Sequence, residues 1–122
     1  MSNDAAATVL VVDDEPQVCE LLARYLQPEG YSVLIAGSVD QALSLLDGQR
    51  VDLILLDLHM PGAHDGEELL FDLRDRGSDV PIIVVSGWVD DEATLVHPDC
   101  VHGVVKKPVK REALLAMDAV RV

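Results

Sequence analysis

Two hydrophobic patterns alternate along this chain: short, continuous apolar runs and longer stretches with apolar residues at helical spacing. Residues 8–12 are β-branched or apolar throughout, which is typical of a strand buried on both faces of a sheet. From Pro16 onward apolar residues recur every three or four positions until Pro28 and Gly30 interrupt the pattern, which predicts a helix that ends there. The first unit is therefore a strand followed by a helix.

The same unit recurs along the rest of the chain. Further strands are predicted at residues 31–35, 51–56, 82–85 and, more weakly, 101–105. Further helices are predicted from residue 39 to about Gly48, after a long loop at 57–65, and after Pro108. Residues 90–99 contain β-branched residues and a proline, so a helix there is expected to be short or irregular.

This alternation specifies the α/β class, with a parallel sheet, right-handed crossovers and helices on both faces. We predict a flavodoxin-like three-layer sandwich whose five strands follow the order 2-1-3-4-5, with the fourth helix short or irregular. In such open sheets ligands bind beyond the carboxyl ends of the strands, where the strand order reverses. The residues that follow the strands are therefore the candidates for a functional site.

Composition narrows the class of protein. The 122 residues, 49% of them hydrophobic, suit one globular domain with one core. The apolar runs are far shorter than the roughly 20 residues that span a bilayer, and no charged leader precedes an apolar block, so we expect a cytoplasmic domain without membrane contact. Cys19 and Cys100 are too few and too far apart for a disulfide framework or a zinc site and are expected to be unpaired thiols.

The charge of the chain points to a cation as its ligand. A formal net charge of -13 repels phosphate backbones, and no run of consecutive basic residues exceeds the pair Lys106-Lys107, so direct nucleic-acid binding is not expected. Polar residues follow four of the predicted strands: Asp13-Asp14-Glu15, Asp57, Ser86 and Lys106-Lys107-Pro108. Turns favour Asp and Ser in any protein, so the evidence lies in the four positions together.

If strands one and three are neighbours, Asp13, Asp14 and Asp57 converge and repel one another. A hard cation that accepts oxygen ligands and keeps some water relieves this repulsion, which predicts a Mg²⁺ site. A carboxylate can also attack phosphorus when a metal ion and a lysine neutralise the phosphoryl oxygens. Asp57 and Lys107 supply these parts, and the Ser86 hydroxyl could bind a phosphoryl oxygen.

Three segments resemble the receiver domains of response regulators, the CheY-like superfamily of two-component signal transduction. They are Val-Leu-Val-Val-Asp-Asp-Glu-Pro at 9–16, Asp-Leu-Ile-Leu-Leu-Asp-Leu-His-Met-Pro at 52–61, and Lys107-Pro108. The resemblance implies that residues 8–122 form one receiver domain behind a flexible N-terminus at 1–7. Whether an output domain follows Val122 is left open.

The resemblance also implies a role for each residue of the site. Asp57 corresponds to the phosphoacceptor, Asp14 to a direct Mg²⁺ ligand and Asp13 to a ligand that acts mainly through water. The backbone carbonyl of His59 completes the protein's share of the metal shell. Lys107, joined to Pro108 by a bond that is usually cis in the family, corresponds to the partner of the phosphoryl group, and Ser86 corresponds to the hydroxyl residue after strand four.

The implied function is signal transfer. A sensor histidine kinase or a histidine phosphotransfer protein donates a phosphoryl group to Asp57, and an output surface changes as a result. Beyond this phosphotransfer and the autodephosphorylation of receivers, no enzyme activity is expected. The implied partners also include an unidentified output domain or downstream protein, and a homodimer that forms on phosphorylation.

Three features of the sequence depart from the pattern of receiver domains. Val104 replaces the usual aromatic switch residue, Trp88 stands near Ser86, and the loop 61–66 is one residue longer than usual. Val104 and the irregular fourth helix keep open a degenerate receiver that acts only through protein contacts. An aspartyl-phosphate phosphatase usually needs a second Asp where His59 stands, and a nucleotide or flavin carrier would be repelled by the acidic residues 13–15.

Overall fold

The computed structural model describes residues 7–57, 66–78, 80–86 and 101–116. Within these residues the strands are β1 (Thr8–Val12), β2 (Ser32–Ala36), β3 (Leu53–Leu56), β4 (Ile82–Ser86) and β5 (Val101–Lys106). The helices are α1 (Pro16–Leu26), α2 (Val39–Gly48), α3 (Gly66–Asp75) and α4 (Arg111–Leu115). A 3₁₀ turn, Gln27–Glu29, continues α1.

The strands form one parallel sheet in the order β2-β1-β3-β4-β5. This confirms the predicted α/β class and the predicted order 2-1-3-4-5. β1 pairs with both β2 and β3, so the chain moves to opposite sides of β1 after the first and second helices. The strand order therefore reverses next to β1, and the residues that follow β1 and β3 lie at that reversal.

Alternate residues of the central strands point into two separate apolar layers, one on each face of the sheet. Leu10 and Val12 of β1 pack with α2 and α3, which we call the α2–α3 side. Val9 and Val11 pack with α1 and α4, the α1–α4 side. All four side chains are fully buried, which explains why β1 is apolar throughout rather than alternately polar.

Local signals at the helix ends account for their boundaries. Pro16 occupies the first turn of α1, where its missing N–H costs no hydrogen bond. Ser38 caps α2, and its hydroxyl accepts a hydrogen bond from the Gln41 N–H at 3.1 Å. The first helix and its 3₁₀ turn end at Gly30, whose φ of 96° lies in the left-handed region that glycine adopts without strain.

Some element boundaries differ from the predictions. β2 and β3 begin at Ser32 and Leu53, one and two residues later than expected. β4 and β5 each extend one residue further, and their register shifts between Ile82 and Ile83, where one extra residue of β5 is accommodated. The predicted irregular fourth helix at 90–99 lies outside the described residues. Across the described ranges, no helix combines the length and the apolar character needed to cross a membrane.

Asp52 fixes the entry of the chain into β1, and its replacement should destabilise the fold. Its carboxylate accepts the Thr8 N–H at 2.8 Å, and its own N–H donates to the Thr8 carbonyl at 2.8 Å. We expect Asp52→Ala to lower the free energy of unfolding by about 1–2 kcal/mol, as for other half-buried hydrogen bonds that involve a charged acceptor. Arg50→Ala is the matched control, because the Arg50 side chain pairs with Asp52 while 90% exposed. Equal urea midpoints for the two variants would contradict this role.

Candidate functional site

The register of β1 and β3 places Asp13 and Asp57 side by side. Val12 and Leu56, the last residues of the two strands, are paired. The Asp57 N–H then donates to the Val12 carbonyl at 2.9 Å, and the Asp13 N–H donates to the Ala36 carbonyl at 3.0 Å. Both backbones therefore continue the sheet by one residue, and both aspartates are buried, with 2% and 4% exposure.

Four carboxylates meet at this edge of the sheet. Asp13, Asp14, Glu15 and Asp57 each contribute an oxygen, and these oxygens all lie within 4.8 Å of one another. Asp13 and Asp57 form the buried base of the cluster, whereas Asp14 and Glu15 are exposed. The predicted convergence of Asp13, Asp14 and Asp57 is confirmed. Glu15 had no predicted role, although its place in the same acidic run was a visible signal.

Lys107 is the cationic partner of this cluster. Its Nζ lies 3.0 Å from Asp13 Oδ2, 3.1 Å from Glu15 Oε1 and 3.3 Å from Asp57 Oδ2. The preceding residue, Lys106, is exposed, as expected of a solvated neighbour. The Lys107-Pro108 peptide bond is cis, as predicted.

Burial and charge shift the proton affinities of these groups. Burial raises the pKa of Asp13, and the charge of Asp57 adds to that increase. Burial would lower the pKa of Lys107, but its contacts with Asp13 and Glu15 and the charge of Asp57 outweigh burial and raise it. Lys107 is therefore a cation at neutral pH, and its single ammonium contacts three carboxylates of a cluster of four.

Two hydrogen bonds fix Asp13, one to a side-chain oxygen and one to its backbone carbonyl. Oδ1 accepts the Glu15 N–H at 2.9 Å, and the Asp13 carbonyl accepts a hydrogen bond from Cys19 Sγ at 3.3 Å. Burial raises the pKa of the Cys19 thiol to about 11, so this thiol stays neutral. Cys19 is unpaired, as predicted. Cys100 lies outside the described residues.

The remaining predicted residues are only partly described. The backbone of Ser86 ends β4 and pairs with Lys106, which places it at the same edge of the sheet, but its side chain lies outside the described part of the structure. His59 and Trp88 also lie outside it. Val104 is half-buried on β5 and packs on the α2–α3 side.

The residues at this edge fit a divalent cation. All four side chains offer carboxylate oxygens, the hard ligands that Mg²⁺ prefers. Asp13 Oδ2 is buried and, within the described residues, receives no aligned hydrogen bond, although Lys107 Nζ lies 3.0 Å away. One ammonium does not balance the charge of four carboxylates, and a divalent cation bound by this cluster would reduce their mutual repulsion.

Two curated relatives of this chain are transcriptional regulatory proteins. The chain is 43% identical over 114 residues to the transcriptional regulatory protein AruR of Pseudomonas aeruginosa, an alignment that covers 88% of this chain and 46% of the relative. It is 40% identical over 108 residues to the hydrogenase transcriptional regulatory protein HoxA of Cupriavidus necator, covering 87% of this chain and 22% of that protein. The chain thus spans less than half the length of these two relatives.

Solved structures and family profiles agree with these relatives. A response regulator receiver protein from Pseudomonas putida superposes with a TM-score of 0.82 at 34% identity, covering 93% of this chain and 95% of the other. Residues 9–118 match the response regulator receiver domain family. That range includes all the described strands and helices except Thr8, the first residue of β1, and it contains all five members of the carboxylate and lysine cluster. The chain therefore belongs to the family of response regulator receiver domains.

Proposed function

We propose that this domain accepts a phosphoryl group on Asp57 in the presence of Mg²⁺ and thereby switches an output surface. The observation that carries the proposal is the contact at 3.3 Å between the Lys107 ammonium and the buried Asp57 carboxylate, inside a cluster of four carboxylates. A nucleophilic carboxylate, a fixed cation and a set of metal ligands are the parts that phosphoryl transfer to an aspartate requires.

The proposed reaction forms an acyl phosphate. An Asp57 carboxylate oxygen attacks phosphorus, the P–N bond of a phosphohistidine breaks, and its electron pair returns to the imidazole nitrogen. The Lys107 ammonium stabilises the negative charge on the phosphoryl oxygens. When bound, Mg²⁺ supplies further neutralisation of that charge. The Ser86 hydroxyl is proposed to bind a phosphoryl oxygen and so to report its presence.

The proposed metal ligands come from both acidic segments. Asp14 and Asp57 would bind Mg²⁺ directly, Asp13 mainly through water, and His59 through its backbone carbonyl. The exposure of Asp14 suits a direct ligand at an open site, and the burial of Asp13, whose Oδ2 already lies 3.0 Å from Lys107 Nζ, suits a ligand that acts through water.

The proposed partners follow from the family and from charge. A sensor histidine kinase or a histidine phosphotransfer protein in the cytoplasm would donate the phosphoryl group. An output domain or a downstream protein would respond to the phosphorylated domain. A phosphorylation-dependent homodimer belongs to the same proposal. The net charge of -13 disfavours direct binding of nucleic acid by this domain. A degenerate receiver is disfavoured because Asp57, Asp14 and Lys107 are all present and converge.

Phosphorylation by a small-molecule donor tests the proposal. The protein is incubated with acetyl phosphate or phosphoramidate and Mg²⁺, and its intact mass is measured before and after. We expect one phosphoryl adduct that is stable in acid, labile in base and absent when EDTA replaces Mg²⁺. An adduct that is labile in acid would indicate phosphohistidine, and the absence of any adduct with both donors would support the degenerate alternative.

Asp13→Asn should change stability in opposite directions with and without Mg²⁺. The raised pKa of Asp13 means that its proton stabilises the fold below pH 3.8, and that this stabilisation is lost as pH rises through the folded-state pKa. At neutral pH the ionised carboxylate is therefore a net cost. We expect the variant in EDTA to be more stable than the unsubstituted protein by about 1 kcal/mol.

With Mg²⁺ the order should reverse. Binding at a hundred times Kd stabilises the unsubstituted protein by about 2.7 kcal/mol, and the variant loses most of that gain. Urea midpoints in EDTA and in Mg²⁺ measure both effects. Asp14→Asn is the control, because this exposed residue should lose the Mg²⁺ gain without any gain in EDTA. If Asp13→Asn were the less stable protein in both conditions, the proposed cost of the buried charge would be wrong.

A further inference from the structure

Helix α1 is fastened to the segment that follows Lys107. The Tyr25 hydroxyl donates a hydrogen bond of 2.9 Å to the carbonyl of Val109, 84 residues away in sequence. One turn further along, Glu29 forms an ion pair of 3.0 Å with Arg111 at the start of α4. Val109 itself is buried on the α1–α4 side. The segment between β5 and α4 is therefore held from α1 by polar and apolar contacts.

The contacts between α1 and the β5–α4 segment affect the site because Lys107 Nζ must lie close to three carboxylates at once. Its long side chain has many rotamers, so its ammonium reaches Asp13, Glu15 and Asp57 together only if its backbone is fixed. Pro108 has no N–H and cannot hold the segment through a backbone donor. Tyr25 bonds the chain two residues beyond Lys107, and it is half-buried, where water competes less for the Val109 carbonyl.

We propose that Tyr25 is a positioning residue for phosphoryl transfer, whose hydroxyl, through the Val109 carbonyl, holds Lys107 against the carboxylates of Asp13, Glu15 and Asp57. The inference rests on the proposed function for its effect on rate, but its structural content does not depend on phosphorylation. In the described part of the structure the Tyr25 hydroxyl bonds the Val109 carbonyl, so its effect on the site is exerted through the backbone of the β5–α4 segment.

The test is Tyr25→Phe, which removes one hydroxyl and keeps the ring on the α1–α4 side. We expect phosphorylation by acetyl phosphate to slow about three- to tenfold, which is the change in rate that corresponds to the net free energy of one hydrogen bond. Mg²⁺ affinity, measured by calorimetry, should stay equal or become tighter, because a less firmly held ammonium opposes the cation less. General damage to the fold would instead weaken Mg²⁺ binding together with the rate, and that result would overturn the proposal.

Two further variants isolate the role of the lysine. Tyr31→Phe removes a hydroxyl from another half-buried tyrosine on the α1–α4 side and should stay within about twofold of the original rate. In a Lys107→Ala background, Tyr25→Phe should cause no additional loss, because there is no ammonium left to position. A rate loss of the same size in both backgrounds, or no loss in either, would overturn the proposal.

An NMR measurement keeps the two proposals separate. The ε-methylene resonance of Lys107 reports its contact with the carboxylates, and the exposed Lys110 serves as an internal reference. Tyr25→Phe should move the Lys107 signal toward that of Lys110, whether or not the protein takes a phosphoryl group. If the unsubstituted protein is never phosphorylated, the proposed function fails while this shift still decides the role of Tyr25. An unmoved Lys107 signal overturns the positioning role even in a protein that is phosphorylated normally.

Discussion

Asp57→Asn is expected to abolish the phosphoryl adduct, with a loss of rate of at least about a thousandfold. The amide oxygen of asparagine carries no full charge and cannot form a stable acyl phosphate, so the variant lacks the nucleophile itself. The substitution should not disturb the sheet, because the hydrogen bond that places this residue runs from its backbone N–H to the Val12 carbonyl. Intact mass after incubation with acetyl phosphate and Mg²⁺ measures the loss.

The control for this variant is Asp40→Asn, an exposed aspartate in the first turn of α2. It removes the same charge from the protein without touching the cluster and should be phosphorylated at the unaltered rate. Peptide mapping of the unsubstituted protein should place the adduct on the peptide that contains Asp57. An adduct that survives in Asp57→Asn would identify a different acceptor and would remove the central element of the proposed function.

Lys107→Ala is expected to lower the rate of phosphorylation by about a hundredfold or more, the effect of removing one charge-stabilising group from an active site. The same change should tighten Mg²⁺ binding, because the ammonium lies within 3.3 Å of Asp57 and 3.0 Å of Asp13 and repels a cation bound there. This pair of opposite effects is specific to a lysine that serves the phosphoryl group while competing with the metal ion.

Lys106→Ala provides a matched control, since this neighbouring lysine is exposed and should affect neither quantity. Rates from mass spectrometry and Mg²⁺ affinities from calorimetry, compared across the two variants, test both effects. If Lys107→Ala weakened Mg²⁺ binding, the lysine would be supporting the carboxylate cluster rather than opposing the cation, and its proposed role would need revision.

Much of this fold was accessible from local patterns. The apolar run at 8–12, the proline at the start of α1 and the helical stripes predicted the alternation of strands and helices, and the structure confirms it. Strand ends were less certain: β3 begins two residues late because Val51 and Asp52, although next to the sheet, lie outside the strand. Asp52 has another role, since its carboxylate accepts the N–H of Thr8.

The site was predictable to the extent that it is built on strand ends. Asp13, Asp14 and Asp57 follow buried strands, and parallel strands present their carboxyl ends at one edge, so their meeting required only the correct strand order. Lys107 was a candidate because it follows the fifth predicted strand, the resemblance to the receiver family favoured it over Lys106, and the structure places its ammonium against three of the four carboxylates. The roles of these residues in phosphoryl transfer and metal binding, like those of Ser86 and His59, remain predictions.

Periodicity and turn chemistry act between residues that are near one another along the chain, and for this reason the amino-acid sequence was sufficient for the class of fold and the acidic strand ends. The contacts of Glu15 and Tyr25 depend on how distant segments pack. Glu15 meets Lys107 across 92 positions, and Tyr25 meets Val109 across 84. No local pattern encodes such distances, because they are set by the register of the strands and by the burial of α1 and α4 on one face of the sheet.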